Sequence, residues 1–291
     1  MSQRWRDVSD DPNSAESLAV RRQQMDGIWS TESRTRFEFI VDHCRGVKVL
    51  DLGCVDHRIT TLEDPRWLHQ AVRKVAAECV GADYDSVGIE QMTAAGLDAV
   101  CVDITAGLGP LASRAPFDVV VAGELIEHLA CPQALLSFAR EALRPGGKLI
   151  ISTPNPYAPG RVRGGRRHLA FENVDHVVYI FPAGLIEMAD RTGLVLRTAT
   201  TLGYDNAHSA IKRSFEEYAR GIKRRLRGEP PTYTSKRQTT GRLRLPLHPN
   251  YVTPGESIRL LLSPLQRAGA FLGETAIYVL EKPDGRDNRA V

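Results

Sequence analysis

Long apolar runs are missing from this 291-residue chain: none approaches the roughly 20 residues that a bilayer span requires. The opening Met-Ser-Gln-Arg-Trp-Arg-Asp has no apolar export segment either, so a cytoplasmic protein is expected. Cysteine is scarce. Cys44, Cys54, Cys79, Cys101 and Cys131 have no paired spacing and three fall in or beside predicted strands, which reads as reduced packing residues rather than disulfides or a thiol nucleophile. No Gly-x-Gly-x-x-Gly follows the first predicted strand, which counts against a nicotinamide dehydrogenase.

With 42% hydrophobic and 25% charged residues, the chain has apolar material for a substantial core in one elaborated domain or two. Residues 1–45 are polar and helix-compatible, with Leu18, Ile28, Trp29, Phe37, Ile40 and Val41 as candidate buried positions, and are expected to form helices capping a cleft. Strand and helix then alternate: strand 47–52, helix near 63–77, strand 79–83, helix near 86–95, and strands 98–102 and 117–122. Pro132 suits a first helical position, and Leu135, Phe138, Ala139 and Ala142 follow at helical spacing until Arg144-Pro-Gly-Gly. A strand Lys148–Thr153, a short helix ended by Gly193, and strands Leu194–Thr200 and Ala276–Leu280 complete seven strands. The pattern predicts an α/β fold with a doubly wound, mostly parallel sheet covered on both faces.

The last two strands are roughly 75 residues apart, far beyond a usual connection. The expected division is an N-terminal helical cap (1–45), a core (46–202 plus 275–283), a basic insertion or lid (203–274) and a flexible tail (284–291). The net charge of +3 conceals this division: eleven Lys or Arg and four Asp or Glu lie between Gly203 and Pro246, a local +7 that leaves −4 elsewhere. Three readings of the insertion stand: a solvated lid, a surface for an anionic membrane or lipid-linked substrate, and a nucleic-acid track. Aromatic residues are sparse among its basic ones, which weighs against single-strand stacking.

Residues 47–57 carry the most information. A buried strand running through Asp51 into a turn at Gly53 is how a Rossmann-type sheet receives a nucleoside. Asp83 and Asp103 close the second and third apolar runs, and Phe117-Asp-Val-Val-Val-Ala-Gly-Glu-Leu-Ile-Glu-His follows. A carboxylate at such a strand end faces the crevice and suits a vicinal diol, although the same residues also serve as helix caps or turn formers. Together with Leu143-Arg-Pro-Gly-Gly and Ile151-Ser-Thr-Pro-Asn, these segments resemble the class I S-adenosylmethionine-dependent methyltransferases. The resemblance is strongest to the subgroup with Glu-x-x-Glu-His-Leu after the fourth strand, among them ubiquinone, small-RNA and glycan O-methyltransferases. It implies S-adenosylmethionine as cofactor, with Asp51 and Gly53 beside its methionine part, Asp83 on the ribose hydroxyls, Asp103 near the adenine, and Cys54 and Gly123 completing the set. That family usually has glycine where this chain has Val55 and His57, and a β-branched residue at positive φ is costly. Either the loop takes another path, with Asp56 and His57 lining the cleft, or donor binding is weak.

Glu124, Glu127 and His128 stand at i, i+3 and i+4, so a helix opening at Glu124 would project all three from one face into the cleft. They either tether the helix, or act chemically. His128 suits removal of a hydroxyl proton during methyl transfer. By resemblance to the small-RNA 3′-terminal ribose 2′-O-methyltransferases, Glu124, Glu127, His128 and the distal His176 would instead hold a divalent metal such as Mg. Beyond the fifth strand, Arg161, Arg163, Arg166 and Arg167 sit on a Gly- and Pro-rich loop, and Arg166 and Arg167 are candidates for an anionic acceptor. The expected function is an O-methyltransferase acting on a hydroxyl of a sugar, glycolipid or related small metabolite, with peripheral membrane contact through the insertion. Its alternatives are an RNA ribose 2′-O-methyltransferase, although nucleic acid is the less favoured partner, and a non-catalytic S-adenosylmethionine-binding scaffold.

Overall fold

Period-two burial builds the centre of the sheet. In β1 (Lys48–Leu52), Leu50 and Leu52 join one core layer and Val49 the other; in β4 (Phe117–Gly123), Val120 and Ala122 oppose Val119 and Val121. Strands apolar on both faces must be covered on both. The computed structural model describes residues 3–30, 34–55, 64, 66–158, 161, 173–202, 227 and 273–284. Among these, the other strands are β2 (Glu78–Asp83), β3 (Ala99–Cys101), β5 (Leu143–Pro154), β6 (Val195–Leu202) and β7 (Thr275–Glu281), in the sheet order β3-β2-β1-β4-β5-β7-β6.

β1 pairs in parallel with β2 (Leu50↔Val80) and with β4 (Leu50↔Val120), and β7 runs antiparallel between β5 and β6. α5 (Pro132–Ala142) and α6 (Pro182–Thr192) cover one face through Leu135, Phe138, Leu185 and Ile186. α2 (Arg36–Cys44) and α3 (Leu68–Arg73) cover the other through Phe39, Ile40 and Val72. α4 (Ser86–Ala94) lies beside β2 and β3.

Several expectations change. α1 (Ala15–Ile28) packs on α6 and the edge strand β6 rather than roofing a cleft, and it buries Val20 and Ile28 while Leu18 is exposed. The helix expected near 63–77 is restricted to Leu68–Arg73, because beyond it the backbone bonds to the entry of β1: Gly46 N–H donates to Val75 O and Ala77 N–H to Val47 O. Strand β5 begins at Leu143, not Lys148. Leu143 already pairs with Phe117, and an irregularity in register between Phe117 and Val119 absorbs the Arg-Pro-Gly-Gly segment, with Gly146 at φ +73°.

β7 also reaches beyond the sheet. The hydroxyl of its fully buried Tyr278 donates to Ile180 O at 3.2 Å and fastens the segment that carries Asp175 and His176. Tyr278→Phe strands that carbonyl and is expected to cost about 1–2 kcal/mol in urea denaturation; an unchanged midpoint would show the bond to be dispensable.

Candidate active site

The sheet order reverses between β1 and β4, so their following loops diverge and leave a crevice at the carboxyl ends of the strands. After β1 the chain turns at Gly53, with φ +70° and its N–H donating to Ala82 O. Asp51 points to the α2 and α3 side and is 2% exposed, its Oδ2 lying 2.9 Å from Nδ1 of the buried His69. Cys54 packs against Met92, and burial pushes its thiol far up, as suits a packing residue. Both oxygens of Asp83 accept backbone bonds, Oδ2 from Val55 N–H at 3.0 Å and Oδ1 from Asp85 N–H at 3.1 Å. Each still has acceptor capacity for a further donor. Asp103 caps a short 3-10 turn (Ile104–Ala106) by accepting from Thr105 N–H and Oγ1–H, bonds that hold its carboxyl below the usual range.

Val55 is not among the described residues at positive φ, so the turn takes the path that tolerates a β-branched residue. Asp56 and His57 lie outside the described residues. Across the crevice, Gly123 ends β4 with Arg36 beside it: a Cβ on Gly123 would lie 3.2 Å from Arg36 Nη2 and 2.6 Å from Leu68 Cδ2. Arg36 follows the helix cap made by Thr35 and Glu38, and its buried Nε has no hydrogen-bond partner. Only the tertiary structure brings this cation to the crevice.

Glu124 does not open an α-helix. Its φ is +60°, a conformation that disfavours residues with a Cβ, and its N–H donates to Ser152 O of β5. A 3-10 turn (Ile126–His128) follows. Within it Glu127 is fully buried, and neither carboxylate oxygen has a hydrogen-bond partner. Burial, then the negative charge of Glu124, pushes its carboxyl up to about 7.

Val177 and Val178 N–H donate to the backbone carbonyl of Glu127, which draws the distal segment alongside. Ligand-type atoms of Glu127, His128 and His176 consequently lie within 4.8 Å of one another, and the two imidazoles meet edge-on at 4.7 Å. Glu124, expected as a fourth member, is not in this trio; it acts on Glu127 as a neighbouring charge. His128 Nδ1 lies 3.1 Å from Oδ2 of Asp175, the residue before His176 and one that no motif in the sequence singles out.

Arg161 does not point to an acceptor. Its Nη1 donates to the carbonyls of Asn155 and Glu274 and clamps the end of β5 to the start of β7. Asn155, of the Pro-Asn segment, reinforces that clamp through Gly273 O. Arg163, Arg166, Arg167 and nearly all of the basic insertion lie outside the described residues. No helix among the described residues is long and apolar enough to cross a membrane.

A family model described as a methyltransferase domain matches residues 12–199. The ubiquinone biosynthesis O-methyltransferase of Idiomarina loihiensis is 30% identical over 179 residues, covering 55% of this chain and 67% of the relative. A probable S-adenosylmethionine-dependent methyltransferase of Mycolicibacterium smegmatis is 31% identical over 140 residues, 47% of this chain and 50% of that one. Among solved structures, an S-adenosylmethionine-dependent methyltransferase from Archaeoglobus fulgidus aligns with TM-score 0.48 and 17% identity over 85% of this chain and 91% of that chain. With the family model spanning well over half of its length, the chain belongs to the S-adenosylmethionine-dependent methyltransferases.

Proposed function

We propose that this enzyme methylates a hydroxyl oxygen of a sugar, glycolipid or related small metabolite, with His128 as the proton acceptor and Asp175 orienting it. The observation that carries this reading is the His128–Asp175 pair beside the crevice. Relatives named as O-methyltransferases support oxygen as the methylated atom. Tyr157, Val174, Val177 and Phe181 expose apolar surface close to His176 in the chain or the fold, which favours an acceptor with an apolar part.

S-adenosylmethionine supplies, when bound, a methyl group already activated on a sulfonium. The protein's share is placement and removal of one proton. Asp83 has acceptor capacity for ribose hydroxyls, the Gly53 turn lets backbone approach, and Arg36 offers an unpartnered donor to a carboxylate. A carboxylate can only accept, so Asp175 holds the hydrogen of His128 on Nδ1 and leaves Nε2 with its lone pair. As the acceptor oxygen forms its bond to carbon, its O–H pair stays on oxygen and the proton passes to Nε2. The departing C–S pair stays on sulfur.

A second reading is favoured by Glu127. A fully buried carboxylate without a hydrogen bond is costly, and a divalent cation shared with His128 and His176 would relieve it. A nitrogen and carboxylate donor set of this kind suits such an ion, whose chemistry would be to lower the pKa of the acceptor hydroxyl.

With methyl-labelled donor, label is expected in the sugar or lipid fraction as an alkali-stable ether. Label only in RNA bearing a 3′-terminal ribose would replace the acceptor class, and no label with S-adenosylhomocysteine binding intact would leave a scaffold. Asp83→Ala is expected to raise the Kd for S-adenosylhomocysteine about tenfold or more, or about 1.4 kcal/mol, in calorimetry. His128→Ala should lower kcat by about 10²–10³ and Asp175→Asn by on the order of tenfold, each with donor affinity retained; an unaltered kcat in His128→Ala removes the base. Titration with Mn²⁺ followed by electron paramagnetic resonance tests the ion: one equivalent bound by the wild type and lost in Glu127→Gln supports it, and no uptake by the wild type ends it.

A further inference from the structure

Three contacts converge on the turn after β1 from outside it. Trp67 Nε1–H donates to Cys54 O at 2.8 Å, His69 Nδ1 reaches Asp51 Oδ2 at 2.9 Å, and Val55 N–H is held by Asp83. Trp67 and His69 are 3% and 1% exposed, and they sit at the cap and in the first turn of α3. Glycine meanwhile occurs on the elements that face the turn. A Cβ on Gly81 of β2 would lie 2.8 Å from Cys54 Sγ and 3.0 Å from His69 Cε1; one on Gly88 of α4 would lie 2.5 Å and 2.8 Å from the two Val55 methyls. Real Cβ atoms do not tolerate such distances in a packed interior.

We propose that Trp67 and His69 are positioning residues for the donor-binding turn, that Gly81 leaves room on the facing strand for Cys54 and His69, and that Gly88 supplies, from the facing helix, the room that glycine at position 55 would otherwise give. The chain thereby keeps a defined turn with a β-branched Val55 in it. Val55 acts as a knob seated over Gly88, and its backbone N–H, held by Asp83, registers the turn against the carboxylate assigned to the ribose. Trp67 fixes the carbonyl one residue earlier, and His69 fixes the strand end beneath. This inference rests on the donor site described under the proposed function.

Calorimetric titration with S-adenosylhomocysteine, alongside thermal unfolding, tests it. Gly88→Ala is expected to raise Kd about tenfold and to lower Tm by a few degrees, since its methyl must displace Val55. Val55→Ala introduced into Gly88→Ala should restore Kd to within about threefold, a rescue that a general loss of packing would not produce. Trp67→Phe, which keeps the ring and removes one N–H, should raise Kd about fivefold, and it stands alone if Gly88→Ala does not fold. Wild-type affinity in Gly88→Ala and Trp67→Phe, or a double variant as weak as Gly88→Ala, overturns the proposal. A wild-type chain that fails to bind S-adenosylhomocysteine overturns the donor site itself, and this inference with it.

Discussion

The pairing of β1 with β4 is the constraint from which the whole site hangs. Because the strand order reverses across that pair, the turn at Gly53 and the segment after Gly123 leave the sheet in different directions and cannot fill the gap between them. The gap is bounded by what lies next in each direction: Asp83 at the end of β2, and Ser152 of β5, to whose carbonyl Glu124 N–H bonds. A slip of one residue in this pairing would exchange the two faces of β1 and turn Asp51 from α3 toward the α5 layer.

Buried acids divide by how they are satisfied. Asp51 has His69, and Asp83 has two backbone N–H groups. Both serve the local architecture of the turn. Glu127 is as deeply buried and has no hydrogen bond, and the like charge of Glu124 lies near it. An arrangement so unfavourable in isolation persists where its neighbours over-determine it, here the 3-10 turn and the backbone bonds from Val177 and Val178. The strained Glu124 and the buried Glu127 lie at one end of the crevice and Asp83 at the other.

The antiparallel β7 ties these parts together. It returns between β5 and β6, receives the Arg161 and Asn155 clamps at its start, and reaches through Tyr278 to the segment bearing Asp175 and His176. The residues proposed for proton transfer therefore depend on a strand that lies some hundred positions further along the chain.

The sequence by itself determined the α/β class, the seven strands, and the strand-end positions of Asp51, Asp83, Asp103 and Gly123, because period-two apolar runs ending in an acid or glycine are local signals. A family resemblance grouped Glu124, Glu127, His128 and His176; the structure brings the last three together without Glu124, whose positive φ forbids the helix expected to open there. The reach of β5, the place of α1, and the partners Arg36, Trp67, His69 and Asp175 were decided by tertiary structure alone. Each of those contacts joins residues from separate elements, or depends on which way a neighbouring segment is drawn by backbone bonds, and no local periodicity records such a meeting. The missing glycine at Val55 is the sharpest case: its reason lies at Gly88, a position whose relation to Val55 exists only after β2 has paired with β1.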